Sequence, residues 1–164
     1  MLSKSVQEAL NDQIGKEFSS AFIYLAMSAS FQTMNLPGCA HWMRLQYQEE
    51  VSHAMKLFGY VHDRGGTVVL QGIKQPPAKY KSPLDIFEQA LSHERGVTAS
   101  IHKLFALAQK EGDFPTQIAL QWFVTEQVEE EKHATEIVNQ LSVVGDNKLA
   151  MMMLDRQLGA RSGA

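Results

Sequence analysis

Cysteine occurs once, at Cys39, so the chain can form neither an internal disulfide nor a Cys-cluster metal site, and this thiol is expected to be a small buried hydrophobe. Proline is scarce, 5 in 164 residues, and no apolar run approaches the length of a membrane span. Positive charge is not in excess: 15 Lys and Arg stand against 18 Asp and Glu, a net charge of -3. That balance lacks the basic footprint of a nucleic-acid partner. The N-terminal stretch "MLSKSVQEAL" is amphipathic and has no apolar core of a secretory signal. The expected location is the cytoplasm, with no membrane partner. Sustained strand-like alternation is missing as well, although "TVVLQG" at 67–72 could pair briefly.

What is present reads as helix. Hydrophobic residues make up 45% and charged residues 20%, an ordinary globular balance that argues against disorder. Ser5 with Glu8 forms a capping box, and periodic apolar residues run from Val6 to about Met34. The turn "NLPG" leads into a second piece, from about Gly38 to Arg64, that stops at Gly65-Gly66. Residues 65–82 hold three Gly and two Pro and form a long crossover. Ser82-Pro83 opens a third helix that ends near Gly112, and a fourth runs from the Asp113-Phe114-Pro115 turn to Gly145. Asp146 caps a short fifth helix. Four helices of roughly 27 to 31 residues are each about 40 to 45 Å long. Joined by short, long and short connections, they predict an all-α four-helix bundle of the crossover type. One domain is expected over 1–164, with the bundle at about 5–145 and the terminal helix at about 146–159.

The inner faces carry charge. In "QYQEEVSHAMKLF", Tyr47, Val51, Ala54, Met55 and Phe58 recur at helical spacing, with Glu50 and His53 on or beside that stripe. Glu17 sits among Ile14, Ala21, Tyr24 and Met27, and Glu94 among Leu91, Thr98, Ile101 and Phe105. The fourth helix carries Glu126, Glu129, Glu130 and Glu131 among Val124, Val128 and Ala134. An offset of 77 residues maps Glu17 onto Glu94, Glu50 onto Gln127 and His53 onto Glu130. It also maps Leu10 onto Phe87, Leu45 onto Trp122, Val51 onto Val128 and Val61 onto Val138, as an internal duplication would. That register selects Glu130 as a ligand and leaves His133 one turn further along as a bystander. A lone helical Glu is usually a solvated residue at the stripe's edge. Several converging in a core would cost several kcal/mol per unpaired charge. Lys and Arg are too few at neighbouring inner positions to neutralise them. A pair of bridged divalent cations would, and oxygen ligands with one imidazole suit iron or manganese.

These residues resemble the bacterial non-haem ferritins over essentially the whole chain. The resemblance is carried by Glu17 with Tyr24, by "QEEVSHA" with Glu49, Glu50 and His53, by Glu94 in "LSHERG", and by "WFVTEQVEEE" with Glu126, Gln127, Glu129 and Glu130. It implies an iron-storage protein with ferroxidase activity, oxidising Fe(II) with O2 or H2O2. Glu17 and His53 would bind one iron, Glu94 and Glu130 the other, and Glu50 would bridge them. Gln127 and Tyr24 would orient ligands or bound oxygen, while Glu49, Glu126 and Glu129 would form a third iron position. Trp122 stands where an aromatic could donate electrons, although a core filler is an equal reading. Bacterioferritins carry haem on a Met beside the bridging Glu; here that position is Val51, so no haem is expected. This sequence holds no Cys-x-x-Cys pair, so the rubredoxin domain of rubrerythrins is not expected. The resemblance also implies a closed homo-oligomeric cage of about 24 chains. In it "LAMMMLD" of the fifth helix would be buried by neighbouring chains, and the segment from Asp113 to Gln121 would lie near an entry channel. Two other readings compete: an all-helical interaction module with a polar seam, and a small-oligomer di-iron peroxidase that stores nothing.

Overall fold

The structure, a computed structural model describing residues 2–163, contains five helices and, among the described residues, no strand. They are α1 (Lys4–Thr33), α2 (Pro37–Asp63), α3 (Pro83–Lys110), α4 (Phe114–Val144) and α5 (Lys148–Gly159). The all-α expectation holds, and the four long helices have 30, 27, 28 and 31 residues. No described helix is long and apolar enough to cross a membrane. The "TVVLQG" segment pairs with nothing as a strand. It is tied to α1 instead: Asn11 Nδ2 donates to the Thr67 carbonyl at 3.0 Å and Val69 N donates to Asn11 Oδ1 at 3.1 Å.

Two caps differ from expectation. Ser3, not Ser5, accepts from the N–H of Val6 and starts α1, and Asn147, not Asp146, caps α5 by accepting from Ala150 N. Adjacent polar residues compete for the same orphan amides, and spacing alone does not choose between them. Ser82 caps α3 as expected, accepting from Asp85 N. Asp113 caps α4 through Thr116 N and is also gripped by Arg64 at 2.9 Å, so its charge is already used within the chain.

Side-chain contacts give the arrangement. Ser28 reaches Ala40 across the α1–α2 turn, Tyr24 and Ser20 reach Glu94 and His93 on α3, and Arg64 and Gln46 reach Asp113 and Glu130 on α4. Each of these neighbours therefore runs antiparallel, with α1 opposite α4 and α2 opposite α3 on the diagonals. The apolar core comes in two halves. One surrounds Phe31, Trp42, Met43, Phe87 and Leu141, with Cys39 fully buried among them. The other surrounds Leu10, Ile14, Leu57, Ile101 and Leu120.

The stripe on α2 is rotated from the expected one. Gln46, Glu50, His53, Ala54, Leu57 and Val61 face inward, while Met55 is exposed and Val51 and Tyr47 are half-buried. Val128 is likewise 69% exposed, so neither it nor its expected counterpart Val51 is core. The α5 helix docks one face on its own bundle and leaves apolar residues of the other face exposed. Leu154 and Leu158 join the first core half, and only Leu149, Met152 and Met153 remain outside. Its crossing with α2 depends on glycine. A Cβ on Gly38 would stand 1.7 Å from the Asp155 carbonyl oxygen, and one on Gly159 would stand 3.0 Å from the Gly38 Cα. Asp155 also accepts from Cys39 N at 2.8 Å, capping an α2 whose own N-cap, Leu36, has no side-chain bond. Gly38→Ala is expected to undock α5 and cost about 3 kcal/mol. Asp155→Ala, which removes only the cap, should cost about 1 kcal/mol. Thermal melts rank the two, and equal losses would mean that the helix crossing is not the tight point.

Candidate metal centre

Between the two apolar halves lies a polar layer. The buried faces of four helices bring Glu17 (α1), Glu50 and His53 (α2), Glu94 (α3), and Gln127 and Glu130 (α4) to the same mid-bundle layer. All six are buried, none more than 5% exposed. They are the three pairs related by the 77-residue offset. The apolar pairs Leu45–Trp122 and Val51–Val128 do not share burial in this way. Of the other candidates, Tyr24 is buried, Glu49 and Glu126 are half-buried, and Glu129 and His133 are exposed.

Glu17, Glu50 and His53 each offer a ligand atom, all within 4.8 Å of one another, and His53, Glu126 and Glu130 form a second such group. Oε2 of Glu17 and Oε2 of Glu50 are buried without a hydrogen-bond partner. His53 Nδ1 stands 3.5 Å from the latter oxygen, too far to satisfy it. Orphaned buried carboxylate oxygens carry the full desolvation cost, and their chemistry fits a cation.

Four of the other carboxylate oxygens are held in place. Gln13 Nε2 donates to Glu17 Oε1 at 2.7 Å, and Gln46 Nε2 donates to Glu130 Oε2 at 2.8 Å. Glu94 accepts from the Tyr24 hydroxyl and, at 3.1 Å, from Gln127 Nε2. Gln13 and Gln46 are both buried and were not anticipated. The signal for them was available, since each lies four residues before a candidate glutamate on the same helix face. Arg161, beyond α5, also reaches this region, and no spacing rule pointed to it. Trp122 is partly exposed; its ring packs edge-on against His53 with centroids 5.3 Å apart and carries Lys56 Nζ 3.6 Å from its centroid.

The layer disfavours its own charge. Burial pushes Glu17 up to about 7 and Glu130 up to about 8, the latter helped by the nearby Glu94. Burial and then Glu94 raise Glu50 well above the usual carboxylate range, and Glu94 itself is raised by burial. Burial lowers His53 to about 4, with Lys56 adding to the effect. Burial also raises Glu126, with Glu129 and Glu49 as like-charged neighbours. A neutral imidazole is a ready metal ligand, and a bound cation reverses the preference of the carboxylates.

A four-helix bundle with one long crossover and a buried carboxylate–imidazole layer at mid-length defines a ferritin-like bundle. Residues 7–144 match the ferritin-like domain, and the chain belongs to the ferritin family. It is similar along nearly its whole length to two curated bacterial non-heme ferritins. One is from Staphylococcus aureus, 36% identical over 162 residues that cover 99% of this chain and 98% of the relative. The other is from Bacteroides fragilis, 40% identical over 161 residues that cover 98% of this chain and 100% of the relative. Among solved structures, the open-pore ferritin of Archaeoglobus fulgidus superposes with a TM-score of 0.98 at 46% identity, covering 99% of this chain and all of that one. A closed form of that ferritin, engineered by site-directed mutagenesis, gives 0.99 at 44% identity with both chains fully covered.

Proposed function

We propose that this chain is the subunit of an iron-storage cage that oxidises Fe(II) at its mid-bundle layer. The observation that carries this reading is the group Glu17, Glu50 and His53, with two carboxylate oxygens that nothing in the chain satisfies. Glu17 and His53 bind one Fe(II), Glu94 and Glu130 bind the second, and Glu50 lies between them. Tyr24 and Gln127 hold Glu94 by hydrogen bonds, and Gln46 holds Glu130, so the second pair is oriented before iron arrives. Glu49, Glu126 and Glu129 form a third iron position on the outward side, where exposure rises from Glu130 to Glu129.

The ligand set suits turnover. Two Fe(II) ions each give up one electron, and O2 takes both together with two protons, leaving as hydrogen peroxide; H2O2 can accept the next pair. Anionic ligands favour the ferric state by neutralising its added charge. Weak, flexible glutamate ligands would allow the product to leave and mineralise. Storage requires an enclosure that a single bundle does not provide. The exposed apolar residues Phe22, Leu25, Leu70, Ile118 and Met152 suit contacts between copies in a closed cage.

Anaerobic addition of Fe(II) followed by air is expected to give saturable, protein-dependent oxidation, and gel filtration is expected to show an assembly of about 24 subunits. Rapid oxidation by a small oligomer would favour the peroxidase reading. No protein-dependent oxidation at all would leave a helical interaction module.

A further inference from the structure

Arg161 is the cation that the sequence pattern did not place near the carboxylates. It lies two residues beyond the end of α5, in the C-terminal segment. Its Nη1 donates to Gln46 Oε1 at 2.6 Å, and its Nη2 donates to Glu49 Oε2 at 2.7 Å. The guanidinium stacks 4.7 Å from the centre of the Trp42 ring, and the residue's carbonyl meets His41 Nε2 at 3.0 Å. Four contacts on one tail residue set it apart from an ordinary surface ion pair, whose partners are usually free to separate.

The chain of contacts continues inward. Arginine has no acceptor atom, so the amide of Gln46 must turn its oxygen to Arg161 and its NH2 to Glu130, where Nε2 donates to Oε2 at 2.8 Å. One guanidinium thus sits on Glu49 directly and steers Glu130 through a single amide. A groove of about 420 Å³ lined by Trp42, His133, Glu136, Gln140, Gln157 and Arg161 adjoins it. That groove gives the side chain room to swing away, with Glu136 as another carboxylate to meet.

We propose that Arg161 is a built-in counter-cation that occupies Glu49 while the third metal position is vacant and must withdraw before a metal ion can use that carboxylate. Through Gln46 it is also a positioning residue for Glu130. Because Arg161 follows α5 directly, the docking of α5 and the filling of the third position are coupled. This inference rests on the reading of Glu49, Glu126 and Glu129 as a metal position.

The test is calorimetric titration of the metal-free assembled protein with Zn(II), which binds without redox chemistry. Wild type is expected to show a tight class at the mid-bundle layer and a weaker class at the third position. In Arg161→Ala the weaker class should tighten about fivefold, the scale of losing one charge-assisted competitor at a half-buried carboxylate. In a Glu49→Gln background the same substitution should change nothing, which makes the pair a double-mutant cycle. Arg161→Lys keeps a charge but loses the two-pronged contact and should shift the class about twofold; it carries the test if the alanine variant does not assemble. Unchanged or weakened binding at the third position in Arg161→Ala, or an effect that persists without the Glu49 carboxylate, overturns the proposal. If wild type shows no tight Zn(II) class, the metal-centre reading fails and this inference fails with it. A normal tight class with an unresponsive weak class fails this inference alone.

Discussion

Glu50→Ala and His53→Ala are each expected to abolish fast Fe(II) oxidation, by about a hundredfold or more, while the assembly stays intact. Loss of a supporting outer partner alone typically costs 10- to 100-fold, and these two side chains provide the ligand atoms themselves. The reason the fold should survive lies in the same orphaned oxygens that mark the site. Oε2 of Glu50 has no hydrogen bond to lose, and its carboxylate is held in an environment that disfavours its charge. Removing it opens a cavity but also removes a desolvated acid, and the two effects oppose one another. Glu94→Ala makes the informative contrast, since it strands the Tyr24 hydroxyl and the Gln127 amide in the core. It should lose oxidation and melt at a lower temperature. Stopped-flow oxidation, gel filtration and thermal melts on the three variants separate chemistry from architecture. Disassembly of Glu50→Ala or His53→Ala would make the layer a structural device.

The metal-free protein is expected to lose stability as pH rises from about 6.5 to 8, and bound divalent metal is expected to cancel that loss. Glu17 and Glu130 are ordinary carboxyls when unfolded but are held at about 7 and about 8 when folded, with Glu50 and Glu94 raised as well. Above the unfolded value of 4.5 the folded state therefore binds more protons than the unfolded one. Stability then falls with pH, by about 1.4 kcal/mol per pH unit for each proton in question. His53 opposes this at the acid end. Its folded value of about 4 lies below the unfolded 6.5, so its contribution is present above 6.5 and is lost as pH falls through 4. Between 4.5 and 6.5 the histidine offsets one carboxylate, and beyond 6.5 nothing offsets them. The decline should be steepest there. A cation that displaces the protons releases them, so a pH-stat should record base uptake on adding metal at pH 7. A melting temperature that stays flat or rises from pH 6.5 to 8 without metal would refute the charge balance drawn for the layer.

How much of this was legible depends on the residue. Glu17, Glu50, His53, Glu94 and Glu130 could be picked out because helical period alone put them on faces otherwise made of Ile, Ala, Tyr and Leu. The 77-residue offset then separated Glu130 from His133, and the structure buries the first and exposes the second. Val51, Met55 and Val128 look like core in the sequence because an apolar residue adjoining a stripe resembles one inside it. The stripe's centre is set by the neighbouring helix, which here selects Gln46 and Leu57. Gln13 and Gln46 carry only a faint signal, their place four residues before a candidate glutamate, because a glutamine on an inner face is otherwise ambiguous until its partner is known.

From the sequence by itself came the number and length of the helices, the one long connection between the hairpins, and the presence of charge on all four inner faces. These are local matters of period, caps and breakers, settled within a few turns of chain. Only the tertiary structure decided that Asp155 caps α2, that Gly38 and Gly159 let α5 dock, and that Arg161 reaches Glu49 and Gln46. Those contacts join residues more than 100 positions apart. Their existence depends on where two helix ends meet in space, a distance that neither periodicity nor composition encodes.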